Sequence, residues 1–147
     1  GRAMNQRCSH GSRENAKEYF GTETELGGIT AGIYLASMGP QGMYELGETI
    51  IQNQAYLKKI LNNVPGVKAG VFTTGGFQEV LVNFDKTGKT VREINKALLK
   101  AKIFGGKSMK EAFSELGESA LYCVSELTTE EDMENLAMAL KKIVGVC

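Results

Sequence analysis

Residues 77–108 read FQEVLVNFDKTGKTVREINKALLKAKIFGGKS, and the fold turns on how this run divides. The alternation in FQEVLVNF predicts a strand, with Val80, Val82 and Phe84 on one face and Glu79, Leu81 and Asn83 on the other. DKTGK is turn-forming by composition. Thr90 is followed three residues later by Glu93, the spacing of a capping box, in which hydroxyl and carboxylate each satisfy a backbone donor of the other residue. Ile94, Ala97, Leu98 and Ala101 then supply a helical stripe. The run is therefore strand, turn and capped helix.

Its end, FGGKS, looks like the tail of the phosphate-binding pattern G-x-x-x-x-G-K-[ST]. The first glycine of that pattern lets the backbone curl so that its N–H groups face phosphate. Here that position is Ala101, and a helix rather than a strand leads into it. Gly106, Lys107 and Ser108 are accordingly not assigned a nucleotide. Gly105-Gly106 reads instead as the stop of the capped helix, where a residue of positive φ is favoured.

Working outward, Met43, Leu46, Ile50, Ile51, Gln54, Leu57, Ile60, Leu61 and Val64 recur at three- and four-residue steps, predicting a long amphipathic helix stopped by Pro65-Gly66. Before it, Leu26, Ile29, Ile33 and Leu35 outline a small-residue helix ending at Gly39-Pro40. Gly27, Gly28 and Gly32 each cost such a helix about 1 kcal/mol against Ala, which suggests close packing on another backbone. VKAGVFTTGG reads as a short strand with a turn, and LYCVSE as another strand. Thr128 and Glu131 propose a second capping box, before a helix marked by Met133, Leu136, Ala137, Leu140, Ile143 and Val144. The order helix, helix, strand, strand, helix, strand, helix argues for an α+β two-layer sandwich. Its sheet is small and mainly antiparallel, with helices on one face.

Composition narrows the function. The chain has 147 residues, enough for one domain with a core, and its 17 Lys and Arg balance 17 Asp and Glu. Neutral charge gives no field for nucleic acid or an anionic membrane. No run reaches membrane-spanning length and no signal-peptide stretch opens the chain, so the expected compartment is cytoplasmic. Cys8, Cys123 and Cys147 are widely spaced, unlike a disulfide framework or a zinc site. His10 is the lone histidine: it is the only candidate base for a cysteine nucleophile, and no Ser/His/Asp set is assembled around it. The acidic residues Glu130, Glu131, Asp132 and Glu134 open a helix, where negative charge meets the positive end of the dipole.

Three stretches carry a resemblance. They are GITAGIYLASMGPQGMYELGETIIQNQAYLKKILNNVPGVK at 28–68, the FQEVLVNF strand with the later glycine pair, and ALYCVSELTTEEDMENLAMALKKI at 120–143. In order and spacing they resemble the C-terminal small domain of the glycine dehydrogenase (decarboxylating) subunit 1 family, the P-protein of the glycine cleavage system. Arg7, His10, Arg13, Glu14 and Ala16 fall on a family segment of the type R..QHIRREKA. The chain departs from the family at EYFGTE, residues 18–23, and at Lys107-Ser108 after the glycine pair.

The resemblance implies an aminotransferase-type fold whose parent decarboxylates glycine on pyridoxal phosphate and passes the aminomethyl group to a lipoyl-bearing H-protein. It implies that residues 1–40 would join a large domain and that 41–147 form the small domain. It also places the Schiff-base lysine outside this segment. No catalytic, cofactor-binding or metal-ligating residue is therefore assigned here, and the isolated chain is expected to be inactive. The implied partners are subunit 2 and the H-protein, with self-association through exposed apolar faces also open. Two alternatives stand beside this reading: a stand-alone, non-catalytic interaction module, and a domain of another pyridoxal-phosphate enzyme of the same fold type.

Overall fold

The computed structural model describes residues 24–72 and 75–145. The chain divides into two compact units, residues 1–43 and 44–147. A helical run, α1, extends over Thr24–Leu61 and is broken at Gly39, whose φ of 64° and ψ of −179° are not helical. The break is local and chemical. Gly39 takes a backbone conformation that side chains disfavour, and Pro40, lacking an N–H, fits the first position of the helix that resumes.

In the first unit, Leu26, Ile29, Ile33, Tyr34 and Leu35 are exposed. A methyl group added at Gly27, Gly28 or Gly32 would meet nothing within 4 Å. Among the described residues, the close packing expected of these glycines is therefore not made.

In the second unit, α1 buries Ile50, Gln54, Leu57 and Leu61, a stripe narrower than its apolar content, since Ile51 remains exposed. The chain then turns through Val64 and Gly66 (φ 77°) into β1, Lys68–Ala69. β1 is shorter than expected because Gly70 (φ 75°) bends the chain, its N–H still reaching Leu81 O at 2.9 Å. Asn62 closes the outer edge of β1: it donates to Ala69 O at 3.1 Å and accepts from Ala69 N–H at 2.9 Å.

The remaining elements are β2 (Glu79–Asn83), a 3-10 turn at Asp85–Thr87, α2 (Val91–Lys100), β3 (Lys107–Ser108), a second 3-10 turn at Ser114–Leu116, β4 (Ser119–Cys123) and α3 (Glu130–Ile143). The strands form one antiparallel sheet in the order β1-β2-β4-β3. At its centre Val80 faces Tyr122 and Val82 faces Ala120. This is the expected α+β class, with β3 an edge strand that composition did not announce.

The core lies between the helices and one sheet face. Leu57 and Leu61 of α1, Val80, Val82 and Phe84, Ile94 and Leu98 of α2, Ala120 and Tyr122, and Met133, Leu136 and Leu140 of α3 pack there. Fully burying a side chain such as Phe84 or Leu98 contributes on the order of 1.5–3 kcal/mol. The expected alternation of β2 holds, with Val80, Val82 and Phe84 in this core. Leu81 is also buried, but outside it, on the opposite face.

The predicted box of Thr90 and Glu93 is present. Thr90 Oγ1 accepts from Glu93 N–H at 3.2 Å, and Glu93 accepts from Thr90 N–H at 2.8 Å. The second box sits one residue later than Thr128 and Glu131. Thr128 closes the preceding turn, its hydroxyl accepting from Ser125 N–H at 3.0 Å. Thr129, at an extended φ of −84° and ψ of 159°, becomes the N-cap, with Asp132 as its partner.

Candidate functional site

The FGGKS segment lies past the end of α2. The helix closes at Lys100, and the left-handed residue after it is Lys102, with φ 60°. Its stop is made by Ala101 and Ile103, whose N–H groups both donate to Leu98 O. Gly105-Gly106 is thus not the helix stop, which corrects the sequence expectation.

The pair is needed for space instead. A Cβ on Gly105 would lie 1.9 Å from Asn95 Oδ1, and one on Gly106 would lie 2.7 Å from the Tyr122 ring and 2.8 Å from Leu121 O. Lys107 and Ser108 follow as β3, paired with Leu121 and Ala120, and both side chains are exposed. An extended strand bonded to its neighbour presents no curled row of N–H groups to a phosphate.

The acidic residues of α3 divide between two structural tasks. The Asp132 carboxylate accepts from the Thr129 hydroxyl at 2.6 Å and the Thr129 N–H at 3.1 Å, contacts that hold its pKa below the usual range. Glu134 accepts from Tyr56 OH at 3.1 Å. The neighbouring carboxylates, Glu130 foremost and then Glu134, together with partial desolvation, push the Tyr56 phenol up to about 12. Cys123 is an exposed free thiol on β4. Cys8, His10 and Cys147 lie outside the described residues, as does EYFGTE. Among the described residues, no group of three or more His, Cys, Asp or Glu is placed to hold a metal ion.

A second polar cluster gave no signal in the sequence. Asp85 accepts from Asn83 Nδ2 at 2.7 Å and from Glu118 N–H at 2.8 Å, which together hold its carboxyl below the usual range. Glu118 pairs with Lys110 and accepts from Val91 N–H at 2.9 Å, with the same effect on its own pKa. Lys110 is raised in turn by Glu118. Two neighbouring carboxylates could serve as a general acid and base only if one were kept protonated. Here both are held ionised, so the cluster ties β2, β4 and the start of α2 together. Its partners are far apart in sequence and follow no period. Gly117 makes room for it: its φ is 62°, and a Cβ there would meet the Asp85 carboxylate at 2.5 Å.

The face of the sheet away from the helices holds a groove of about 920 Å³. Leu81, Leu121, Met109, Phe113, Leu116 and Phe77 line it, and Lys58, Glu79 and Glu115 stand among its lining. Lys58 is fixed by donating to Gln54 Oε1 at 2.9 Å, while buried Gln54 donates to Glu79 O at 2.9 Å. The arrangement can receive an apolar surface.

No protein-family model matches the chain. A protein of Pyrococcus horikoshii named "Probable glycine dehydrogenase (decarboxylating) subunit 1" is 40% identical over 141 residues, covering 96% of this chain and 30% of that protein. Proteins of the same name from Thermococcus onnurineus and Nitrosospira multiformis are 39% and 32% identical, covering 95% and 96% of this chain and again 30% of each protein. Among solved structures, a glycine decarboxylase (P-protein) of the glycine cleavage system, in inhibitor-bound form, matches with a TM-score of 0.76 and 26% identity. That match covers 95% of this chain and 31% of the other. The chain spans under a third of the length of the curated relatives it matches. Nearly the whole chain takes part in these matches, and they agree with the α+β fold and with the family resemblance. Over nearly its whole length, the chain is similar to one part of the glycine dehydrogenase (decarboxylating) subunit 1 proteins, about 30% of their length.

Proposed function

We propose that this chain is the C-terminal part of a P-protein subunit 1, and that the complete protein serves glycine cleavage. In that reading the parent decarboxylates glycine and passes the remaining aminomethyl group to the lipoyl arm of an H-protein, with subunit 2 as its partner. The observation that supports it is the 40% identity extending over 96% of the chain. Residues 1–40 would join the large domain, and 41–147 form the small one. The exposed apolar residues Leu26, Ile29, Ile33 and Leu35 would be covered by that domain, since such patches favour burial. A cytoplasmic location belongs to the same proposal. Among the described residues no helix is long and apolar enough to cross a membrane.

Pyridoxal phosphate, the group such a parent uses, does not fit the described residues. A Schiff-base lysine needs a desolvating pocket, and an acidic partner must hold the pyridinium nitrogen. None of the described lysines is buried. Asp85 and Asp132, the two aspartates of the chain, are spent on Asn83, Glu118 and Thr129. No chemical step is assigned to this segment, whose contribution is to support a site built elsewhere.

The test is reconstitution. The chain, joined to the large domain of its own reading frame and mixed with subunit 2 and a lipoylated H-protein, should catalyse exchange between bicarbonate and the glycine carboxyl carbon. The isolated chain should not, and borohydride should fix no pyridoxal phosphate to it. A reading frame without a large domain, or a borohydride-fixed adduct on the isolated chain, would overturn the proposal.

A further inference from the structure

We infer that residues 104–108, the glycine pair and β3, form a releasable strap over α2 and β4 rather than a fixed edge of the sheet. Its release uncovers the edge of β4. Little holds the middle of the segment. β3 is two residues long, lies at the end of the strand order and pairs through Lys107 with Leu121 and Ser108 with Ala120. The Lys107 and Ser108 side chains are exposed and Phe104 is 90% exposed, so none of the three adds apolar burial to the closed position. The ends are better fixed. Ile103 packs against the core and its N–H donates to Leu98 O at 3.0 Å, while Met109 N–H donates to Ser119 O at 2.9 Å. Between these anchors Gly105 and Gly106 regain more backbone freedom on release than any other residue type.

What the strap covers gives release a driving force. Asn95 Oδ1 and Tyr122 OH are buried without a hydrogen-bond partner, the two side-chain atoms of that kind among the described residues. Both lie at the glycine pair. A Cβ on Gly105 would stand 1.9 Å from Asn95 Oδ1. One on Gly106 would stand 2.7 Å from Tyr122 Cε2, the ring carbon next to the one that carries the hydroxyl. Burial pushes the Tyr122 phenol up and the Gly106 N–H acts against it, which sets the hydroxyl beside that peptide. Turning the Asn95 amide over offers no remedy, because its Nδ2 already donates to Gly106 O at 2.8 Å.

A buried polar atom without a partner has lost its hydration and gained nothing in return. When the strap lifts, water reaches both atoms. The bonds given up are that of Asn95 to Gly106 and the short β3 ladder, whose groups water also satisfies. The open form presents Ala120 and Leu121 as an unpaired antiparallel edge, the kind that accepts a further strand.

Amide hydrogen exchange of the whole chain tests this, read at residues 104–108 and at 79–83 of β2 and corrected for intrinsic rates. Residues 104–108 should exchange about tenfold faster than 79–83, or more, as a segment that opens without the rest of the unit. Urea below the unfolding transition should hardly change their rate, because so small an opening exposes little surface. Tyr122→Phe removes the unmatched hydroxyl and keeps the ring, and should slow exchange at 104–108 by about fivefold or more. Equal rates and equal urea dependence in the two segments overturn the inference, since the strap then opens only with the whole unit. A Tyr122→Phe chain whose strap exchanges as fast as the parent's also overturns it, because the hydroxyl is then satisfied in the closed form.

Discussion

The side-chain amide of Asn95 donates to the carbonyl oxygen of Gly106 at 2.8 Å, holding α2 to the segment that enters β3. The contact exists because both residues of the glycine pair lack a Cβ. Gly106→Ala would push a methyl group against the Tyr122 ring and the fixed Leu121 carbonyl, a steric cost of about 1–3 kcal/mol. Gly105→Ala must displace Asn95 and lose its hydrogen bond, and should destabilise by a similar amount. Lys107→Ala and Ser108→Ala, both at exposed positions, should stay within about 0.5 kcal/mol. Urea unfolding of the four variants ranks them. Magnesium-ATP in excess should leave the melting temperature unchanged, and a clear rise would revive a nucleotide-binding loop.

The position of the second cap is open to a direct check. Thr129→Ala removes the hydroxyl that accepts from Asp132 N–H at 3.1 Å, and should cost about 1 kcal/mol. Glu131→Ala, the partner expected from the sequence, should be within about 0.5 kcal/mol of the parent. Chemical denaturation of the pair decides between the two registers, and equal losses would contradict the geometry.

Stability should fall in acid through the cluster at Asp85. Asp85 and Glu118 have folded pKa values below 3.8 and 4.5, so each contributes stability that is complete above those unfolded values. That contribution is lost as pH falls through the depressed folded values. Glu93 and Asp132, lowered by their capping contacts, act in the same sense. Urea midpoints should be level from about pH 7 to pH 5 and decline by about pH 3, less steeply for Asp85→Asn. A parent profile that stays flat to pH 3 would exclude this coupling.

Tyr56 should titrate late. Glu130 and Glu134 hold its proton up to about 12, whereas an unperturbed phenol ionises at 10.0. Ultraviolet absorbance of phenolate, compared between the parent and Tyr56→Phe, isolates this residue's step. Glu130→Gln should move it back toward 10.0. The neutral phenol is the form favoured by the fold, so any stability it contributes is present below 10.0 and declines as pH rises through the folded value.

Much of the fold was legible because it is written in local terms. The alternation of Val80, Val82 and Phe84, the Thr90–Glu93 box and the Gly39-Pro40 break each involve residues a few positions apart, and each is where the sequence placed it. The family landmarks are local strings of the same kind. Where the structure departs from the local pattern, partners farther along the chain decide. Thr128 was withdrawn from the cap by Ser125, and Asn53 of α1 also donates to Thr128 O at 3.1 Å. Glycine commonly ends helices, which points to Gly105-Gly106 as a stop, yet the left-handed residue is Lys102.

Period and composition by themselves therefore determined the α+β class, the main elements and the faces they bury, since a hydrophobic pattern states which side of an element must leave water. Only the tertiary structure decided why the glycine pair has no side chains, which carboxylates are held ionised, and which sheet face remains apolar and open. Those properties depend on distances between atoms that lie far apart along the chain. Tyr122 excludes a methyl group at Gly106, Glu118 supplies the N–H that Asp85 accepts, and Leu121 meets Leu81 across the sheet. No local pattern encodes such meetings, because they are fixed only when the strands pair and the helices close over one side.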